Sequence, residues 1–240
     1  MAAIYLVRHG QASFGKADYD QLSEKGAKQA VMLGQYWRSN AAPYKFYCGD
    51  LLRHGQTLQY FTEGFQCKET PIITHSGLNE FNHVDILTRN NAQWHNFAKM
   101  SEEINQSTET NKSFQKEFSI ALERWTSGDK DQEYLESWPQ FKKRCISALN
   151  DIIKQEEMTN RKVSINKVPN DILVFTSGGT ISVIIQTILQ LSDRQTLKIN
   201  QQLRNTGVTK LLFSEKNLSI DYFNNYSHLT LAGSDMDTFR

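Results

Sequence analysis

The sequence predicts an α/β fold in which a mostly parallel sheet lies between two layers of helices. Short apolar runs of strand length alternate along the chain with longer segments of helical periodicity. This alternation favours right-handed βαβ units and a three-layer α/β/α sandwich with helices on both faces. A chain of 240 residues can bury a substantial core. We expect one domain, residues 1–240, with a helical insertion at about 84–136.

Three strands and two helices are predicted in the first third of the chain. Ser23 is the predicted N-cap of the first helix, because apolar residues repeat at helical spacing after it as far as Trp37. Arg53 falls in the first turn of the second helix. The predicted strands are 4–7, 45–48 and 71–73, and the second helix is 51–63.

The rest of the chain supplies the insertion, a buried strand and a hairpin. The insertion is rich in polar residues and has weak amphipathic runs at 94–97 and 114–125. Gly178 and Gly179 open an apolar helix after a strand whose residues are all apolar. The further predicted elements are a helix at 138–157, the buried strand at 172–175, the apolar helix at 181–191 and hairpin strands at 208–213 and 218–223.

Composition argues against a charge-driven partner. The chain has 27 basic and 26 acidic side chains, and its formal net charge is +1. This balance provides no electrostatic excess toward nucleic acid or an anionic membrane. We therefore expect neither partner, and any positive potential must be local.

Cysteine spacing and hydropathy predict a cytoplasmic protein. Cys48, Cys67 and Cys145 are widely spaced and form no C-x-x-C pair, which argues against a disulfide framework or a zinc ribbon. No run of about 18 apolar residues is present, as a membrane-spanning helix requires. The early apolar run is too short for the core of a signal peptide.

The end of the first predicted strand carries a motif suited to phosphate. Arg8, His9 and Gly10 directly follow the apolar run. A guanidinium can hold two phosphate oxygens at once, and a neutral imidazole nitrogen can attack phosphorus. Gly10 lets the backbone turn close to a ligand. Ligands of α/β sheets bind at the carboxyl ends of strands, where Arg8 and His9 fall.

Other residues can complete a phosphoryl-transfer site. Arg53 is a second candidate cation, and Glu80 is a candidate proton donor for the leaving oxygen. Ser177 and Gly178 follow the buried strand, and the glycine adds backbone N–H groups at a helix N-terminus. Chemistry by these groups needs no metal ion, and we expect neither a metal nor a cofactor.

Several motifs together resemble the histidine phosphatase superfamily, which includes cofactor-dependent phosphoglycerate mutases. Residues 6–10, Leu-Val-Arg-His-Gly, resemble its signature, and the resemblance extends over nearly the whole chain. It is weakest in the insertion. The other matching positions are Leu22, Ser23, Gly26, Gln29, Ala30, Leu33, Gly34, Leu52, Arg53, Gln56, Thr57, Glu80, Glu136, Ser137, Asn224, His228 and Leu229.

The resemblance implies a phosphoglycerate mutase-like fold and a role for each site residue. His9 would become a phosphohistidine, and Arg8 and Arg53 would bind the phosphoryl group. Glu80 would donate a proton and recover it through water. The residues in contact with a small phosphorylated substrate would include Gly10, Ser177 and Gly178.

Two departures set this chain apart from the family pattern. Ser177 stands where the family usually has a second histidine, and Phe14-Gly15 replaces a Trp-Asn pair. A serine hydroxyl can donate a hydrogen bond but cannot carry the charge of an imidazolium. Loss of one well-placed donor costs about 2.7–4 kcal/mol, or roughly 100- to 1000-fold in rate. A slow enzyme is therefore implied unless another group compensates.

Two other histidines are candidates for the missing imidazole. His54 adjoins Arg53, so the helix should turn it about a quarter-turn or more away from a site that Arg53 faces. We expect His54 to be a poor substitute. If Glu80 starts a helical turn, His83 lies on the same face at i+3. His83 is then either a partial replacement that contacts substrate or an exposed or capping residue.

Three functions remain open. The first is a metal-independent phosphatase that acts on a small phosphomonoester through His9. The second is a catalytically impaired protein that binds a phosphorylated ligand or a protein partner, although simple binding needs neither His9 nor Glu80. The third is a phosphoglycerate mutase, for which the sequence offers no specific basic motif. A serine hydrolase is disfavoured, because Ser177 lacks the G-x-S-x-G elbow.

Overall fold

The computed structural model describes residues 2–13, 20–40, 43, 45–66, 70–91, 110–162, 171–214, 217–231 and 233–239. Its residues divide into a larger unit, Met1–Glu80 with Cys145–Arg240, and a smaller unit, Phe81–Arg144. The smaller unit contains the range 84–136 that the sequence assigns to an insertion; the single-domain organisation stays a prediction. The sequence features at Phe14-Gly15, Cys67 and 94–97 lie outside the described residues.

The larger unit is built on a six-stranded mixed sheet. The strands are β1 Ala2–Arg8, β2 Lys45–Cys48, β3 Ile72–Thr74, β4 Ile172–Thr176, β5 Val208–Ser214 and β6 Asn217–Asn225. Their order is β3-β2-β4-β1-β5-β6. The first four strands in this order are parallel, whereas β5 is antiparallel to both β1 and β6. The predicted α/β fold with a mostly parallel sheet is confirmed.

The sheet has helices on both faces because its central strands are apolar on both sides. Leu6 of β1 packs on one face in a buried cluster with Leu149. Val7 packs on the other face with Leu33 and Phe61. The helices are α1 Glu24–Trp37, α2 Leu52–Phe65, α3 His83–Asn90, α4 Thr110–Thr126, α5 Trp138–Lys162, α6 Gly178–Leu189, α7 Asp193–Gln202 and α8 Ser227–Thr230. None of the helices in the described part of the chain is long and apolar enough to cross a membrane.

The sequence predicts the start of α1 correctly from its capping residue, but it does not predict α7. Ser23 caps α1 as predicted, and its hydroxyl accepts a hydrogen bond from Gly26 N at 3.0 Å. The sequence did not predict α7, because this helix is polar and buries only Thr196. A reciprocal capping box between Ser192 and Gln195 fixes its start.

The smaller unit has an aromatic core of its own. The ring centroid of Trp125 lies 5.1 Å from that of Phe81 and 5.1 Å from that of Trp138. Phe141 completes the cluster at 5.6 Å from Trp125. Tilted and edge-to-face rings of this kind bury a large apolar area in a small volume.

Candidate functional site

The carboxyl ends of β1 and β4 lie side by side, and they bring two of the predicted motifs together. Arg8 is the register partner of Thr176, and His9 N donates to Thr176 O at 2.9 Å. The next residue, Ser177, is the N-cap of α6, which begins at Gly178. The two motifs therefore lie at the same sheet edge, as the sequence predicts.

The hydrogen bond of its ring defines the tautomer of His9. Nδ1 lies 2.7 Å from the carbonyl oxygen of Gly10. Because a carbonyl only accepts, Nδ1 carries the proton, and Nε2 of the neutral ring has a free lone pair. Burial, with the nearby charges of Arg53 and Arg8, holds the pKa of His9 well below its usual value. The ring is therefore neutral and has an unprotonated nitrogen near neutral pH.

Contacts from three directions hold the backbone around His9. Asn205 Nδ2 donates to His9 O at 3.2 Å, and Gly10 N donates to Thr57 Oγ1 at 3.1 Å. A Cβ at Gly10 would lie 2.5 Å from Gly26 O, so no other residue fits against α1 at this point. Close helix packing alone therefore accounts for glycine at this position.

Arg53 lies in the first turn of α2, as predicted, and is 6% exposed. Its Nη1 donates to Asp20 Oδ1 at 2.6 Å, while Asp20 Oδ2 accepts from Leu52 N at 2.7 Å. One carboxylate thus orients the guanidinium and supplies the cap that α2 otherwise lacks. Nε of Arg53 is buried and has no hydrogen-bond partner among the described residues. Sequence reasoning missed Asp20, because it ends a polar loop without any periodic pattern.

His54 lies inside the site, and the expectation that it points away is wrong. Its side chain is fully buried, with Nε2 2.6 Å from Ser177 Oγ and its ring centroid 5.8 Å from that of His9. Neighbouring residues of a helix do point in different directions, but the first turn of α2 is enclosed on both sides. Arg53 takes the direction toward Asp20, and His54 takes the direction toward Ser177.

The imidazole of His54 requires a glycine at the end of β2. A Cβ at Gly49 would lie 2.2 Å from Nδ1 of His54. Nδ1 is buried and has no hydrogen-bond partner among the described residues. Burial and the charge of Arg53 hold the pKa of His54 well below its usual value, so this ring is also neutral.

Ser177 uses its hydroxyl in an unusual way for an N-cap residue. A serine at this position normally accepts a hydrogen bond from the first turn of its helix. The Ser177 side chain makes no such bond to α6. The hydroxyl is fully buried and is paired with His54 instead.

Arg8 and Glu80 both lie at the start of α6. A Cβ at Gly178 would be 3.4 Å from Arg8 Nε, so the guanidinium lies against this glycine. Nη1 of Arg8 donates to the backbone carbonyls of Leu203 and Phe239. Oε2 of Glu80 accepts from Gly179 N at 3.2 Å. A cation and a carboxylate thus lie beside the same helix N-terminus.

The helical spacing assumed between Glu80 and His83 is wrong. Helix α3 begins at His83, after Asn82 caps it with hydrogen bonds from Val84 N and Asp85 N. Glu80 belongs to the larger unit and His83 to the smaller one. The replacement of an imidazole by His83 stays a prediction.

The donor groups at the site are nitrogen-rich. Within the described ranges, no group of three or more histidine, cysteine, aspartate or glutamate side chains is arranged to hold a metal ion.

The site has a buried neutral histidine and two arginines near the carboxyl ends of the central strands of an α/β sheet. This arrangement is typical of enzymes that act on phosphate esters, and the sequence matches a known family of this class. Residues 4–226 match the model of the histidine phosphatase superfamily, branch 1. This range is nearly the whole chain, and the protein belongs to that superfamily.

Solved structures share the fold at low sequence identity. A mutant phosphoserine phosphatase from Entamoeba histolytica, in complex with phosphoserine, is 22% identical, with a TM-score of 0.60 and coverage of 95% of this chain and 100% of that one. A phosphoglycerate mutase from Bacillus anthracis is 17% identical, with a TM-score of 0.63 and coverage of 95% and 94%. The alpha-ribazole phosphatase from Shigella flexneri is 14% identical, with a TM-score of 0.62 and coverage of 93% and 96%. A comparison with curated proteins found no match.

Proposed function

We propose that this protein is a cytoplasmic, metal-independent phosphatase that hydrolyses a small phosphomonoester through a phosphohistidine on His9. The observation that carries the proposal is the ring of His9, whose Nδ1–H donates to Gly10 O at 2.7 Å. This bond leaves Nε2 as the nucleophilic nitrogen, and the lowered pKa of His9 keeps the ring unprotonated. Phosphate binding alone requires neither property.

The first half-reaction forms the phosphohistidine. Nε2 of His9 attacks phosphorus with its lone pair, and the ester bond between phosphorus and the leaving oxygen breaks. Glu80, as a carboxylic acid, gives its proton to that oxygen, and the alcohol leaves. Arg8 and Arg53 balance the charge on the phosphoryl oxygens throughout.

The second half-reaction restores the enzyme. Glu80, now a carboxylate, takes a proton from a water molecule as the water oxygen attacks phosphorus. The bond between phosphorus and Nε2 breaks, its electron pair returns to His9, and inorganic phosphate leaves. The backbone N–H groups at Gly178 supply further donors. The side-chain Nε of Arg53 can add another, because it is buried without a partner in the described structure.

The family resemblance is the reason for a second candidate function. In the family resemblance Ser177 stands where a second histidine is usual, and a neutral hydroxyl stabilises the transition state less than an imidazolium does. The second candidate is therefore a catalytically impaired protein that binds a phosphorylated ligand or protein partner at the same site. A phosphoglycerate mutase is the third, and no residue in the described site specifically favours it.

Turnover and labelling together test the proposal. The protein is incubated in EDTA with a panel of phosphomonoesters that includes phosphoserine and 3-phosphoglycerate, and released phosphate is measured. The reaction is then quenched rapidly without acid, and the protein is analysed for covalently bound phosphate that acid releases. The matched variant is His9→Asn. We expect turnover and a label in the wild type and neither in the variant. Phosphate binding without turnover or label would contradict the phosphatase and favour the impaired binder.

A further inference from the structure

We propose that His54 is a positioning residue for the phosphoryl site and acts through the hydroxyl of Ser177, so that the two side chains together perform the task of one imidazole. This proposal rests on the proposed function, because it assigns a further residue to the same site. Ser177 Oγ is the group that contacts a phosphoryl oxygen, and His54 sets the direction of its proton.

The location of the pair supports this assignment. Both side chains are fully buried, and the ring of His54 lies 5.8 Å from that of His9. Ser177 immediately precedes Gly178, the glycine against which the guanidinium of Arg8 lies. Ser177 thus lies at a helix start where an anion is favoured, and its partner His54 lies near the ring of the proposed nucleophile.

The contact between His54 and Ser177 costs folding stability in two ways, and packing alone gives no reason to keep it. Gly49 leaves room for the ring, and Nδ1 of His54 is buried without a hydrogen-bond partner among the described residues. Ser177 also forgoes the side-chain cap of α6. An unsatisfied buried nitrogen and a missing cap both destabilise a fold. An apolar side chain at position 54 would avoid the first cost entirely.

Only one proton arrangement lets Ser177 donate to a ligand. If Nε2 of His54 carries the ring proton, it donates to Ser177 Oγ, and the hydroxyl proton is free to point at a phosphoryl oxygen. The unpartnered Nδ1 then holds a lone pair, which is a lesser defect than a buried N–H without an acceptor. Consecutive bonds in such a chain strengthen one another, so His54 makes the hydroxyl a better donor.

A double-mutant cycle tests the pair. The variants are His54→Ala, Ser177→Ala and their combination, and kcat and KM are measured with the best phosphomonoester of the panel. We expect each single change to lower kcat about 10- to 100-fold, as loss of a supporting partner does, with KM changed less than about 3-fold. We expect the combination to be no slower than either single variant, because both remove the same donor chain.

A second buried histidine provides the matched control. Nε2 of His228 lies 2.8 Å from the Thr206 hydroxyl, and His228 is 4% exposed. His228→Ala therefore deletes the same type of buried pair. We expect it to lower thermal stability as His54→Ala does, with kcat changed less than about 3-fold.

Two further variants test whether a donor toward the site restores activity. His54→Gln retains an N–H donor toward Ser177 and should remain within about 5-fold of the wild-type kcat. Ser177→His combined with His54→Ala moves the imidazole across the contact and should restore activity to within about 10-fold. In NMR of protein labelled at histidine nitrogen, the Nε2–H signal of His54 should shift when inorganic phosphate is added.

The outcomes separate this proposal from the proposed function. If wild type turns over and labels His9 while His54→Ala, or Ser177→Ala where His54→Ala does not fold, changes kcat as little as His228→Ala does, the role of the pair is overturned and the phosphatase stands. If wild type binds inorganic phosphate without turnover, the cycle is measured on the dissociation constant, and a 10-fold weakening in His54→Ala supports the pair. If wild type neither turns over nor binds phosphate, both proposals fall.

Discussion

Two buried pairs of histidine and hydroxyl occur among the described residues of the larger unit, and they differ in what surrounds them. His54 is bonded to Ser177 at 2.6 Å, and His228 to Thr206 at 2.8 Å. Burial alone lowers the pKa of His228 to about 4. The pKa of His54 is lowered by burial and also by the charge of Arg53.

The comparison shows that a hydrogen-bonded buried histidine is not by itself a sign of function. Both pairs satisfy a hydroxyl in the core, and both imidazoles are neutral near pH 7. His54 differs because a guanidinium is next to it in sequence and a second histidine ring is 5.8 Å away. Neighbouring charge and chemistry, and not burial, separate the two.

Removal of Arg53 should have the largest effect on activity, because it deletes the charge that distinguishes the surroundings of His54 from those of His228. Arg53→Met keeps a long apolar side chain but deletes the cation, and we expect kcat/KM to fall about 100- to 1000-fold. The pKa values of His9 and His54 should both rise, since the arginine charge lowers both. NMR titration of the histidines checks this, with His228 as the internal reference. An unchanged pKa for both His9 and His54 would contradict the electrostatic account.

A substitution at Gly49 tests whether the position of the ring matters. Gly49→Ala puts a methyl group 2.2 Å from Nδ1 of His54 without removing the imidazole. We expect kcat to fall about 10- to 100-fold, comparable to loss of a supporting partner. The matched control is Gly55→Ala on α2, where a Cβ meets nothing within 4 Å. Equal activity in the two alanine variants would argue against a role for the ring position.

The smallest effect on turnover is expected at His228, where stability changes instead. Its folded pKa is about 4 and its unfolded value about 6.5, so the unfolded chain binds the proton more readily. Stability contributed by neutral His228 is present above pH 6.5 and is lost as pH falls toward 4, by about 1.4 kcal/mol per pH unit. Urea unfolding at pH 7, 6 and 5 should therefore show a shallower pH dependence in His228→Gln. Parallel curves for wild type and variant would contradict this assignment.

The fold could be predicted from the sequence wherever one local pattern determines one helix or strand. The first four residues of β4, Ile172 to Phe175, are all apolar, and the strand lies at the centre of the sheet. Ser23 marks the start of α1 by its side chain. The polar helix α7 was not accessible, because a capping box rather than an apolar face defines it.

The site was accessible only in part, for a related reason. His9 and Gly178 follow strands, so the parallel order of the sheet brings them together. The contact between His54 and Ser177 joins residues 123 positions apart. Helix geometry gives the angle between His54 and Arg53, but it does not say that both directions are enclosed by protein. Asp20 likewise acquires its role only when α2 folds against it.

The contact between Arg8 and Phe239 has a practical consequence for anyone who handles the protein. Nη1 of Arg8 donates to Phe239 O at 3.0 Å, and Thr238 Oγ1 bonds with Gln29 and Asn205. A tag or linker fused directly at Phe239 would therefore begin next to a proposed phosphate-binding arginine. The start of β1 lies at the opposite end of a strand of 7 residues, roughly 20 Å from Arg8. The amino-terminal side is therefore the safer attachment point for a tag or a surface linker.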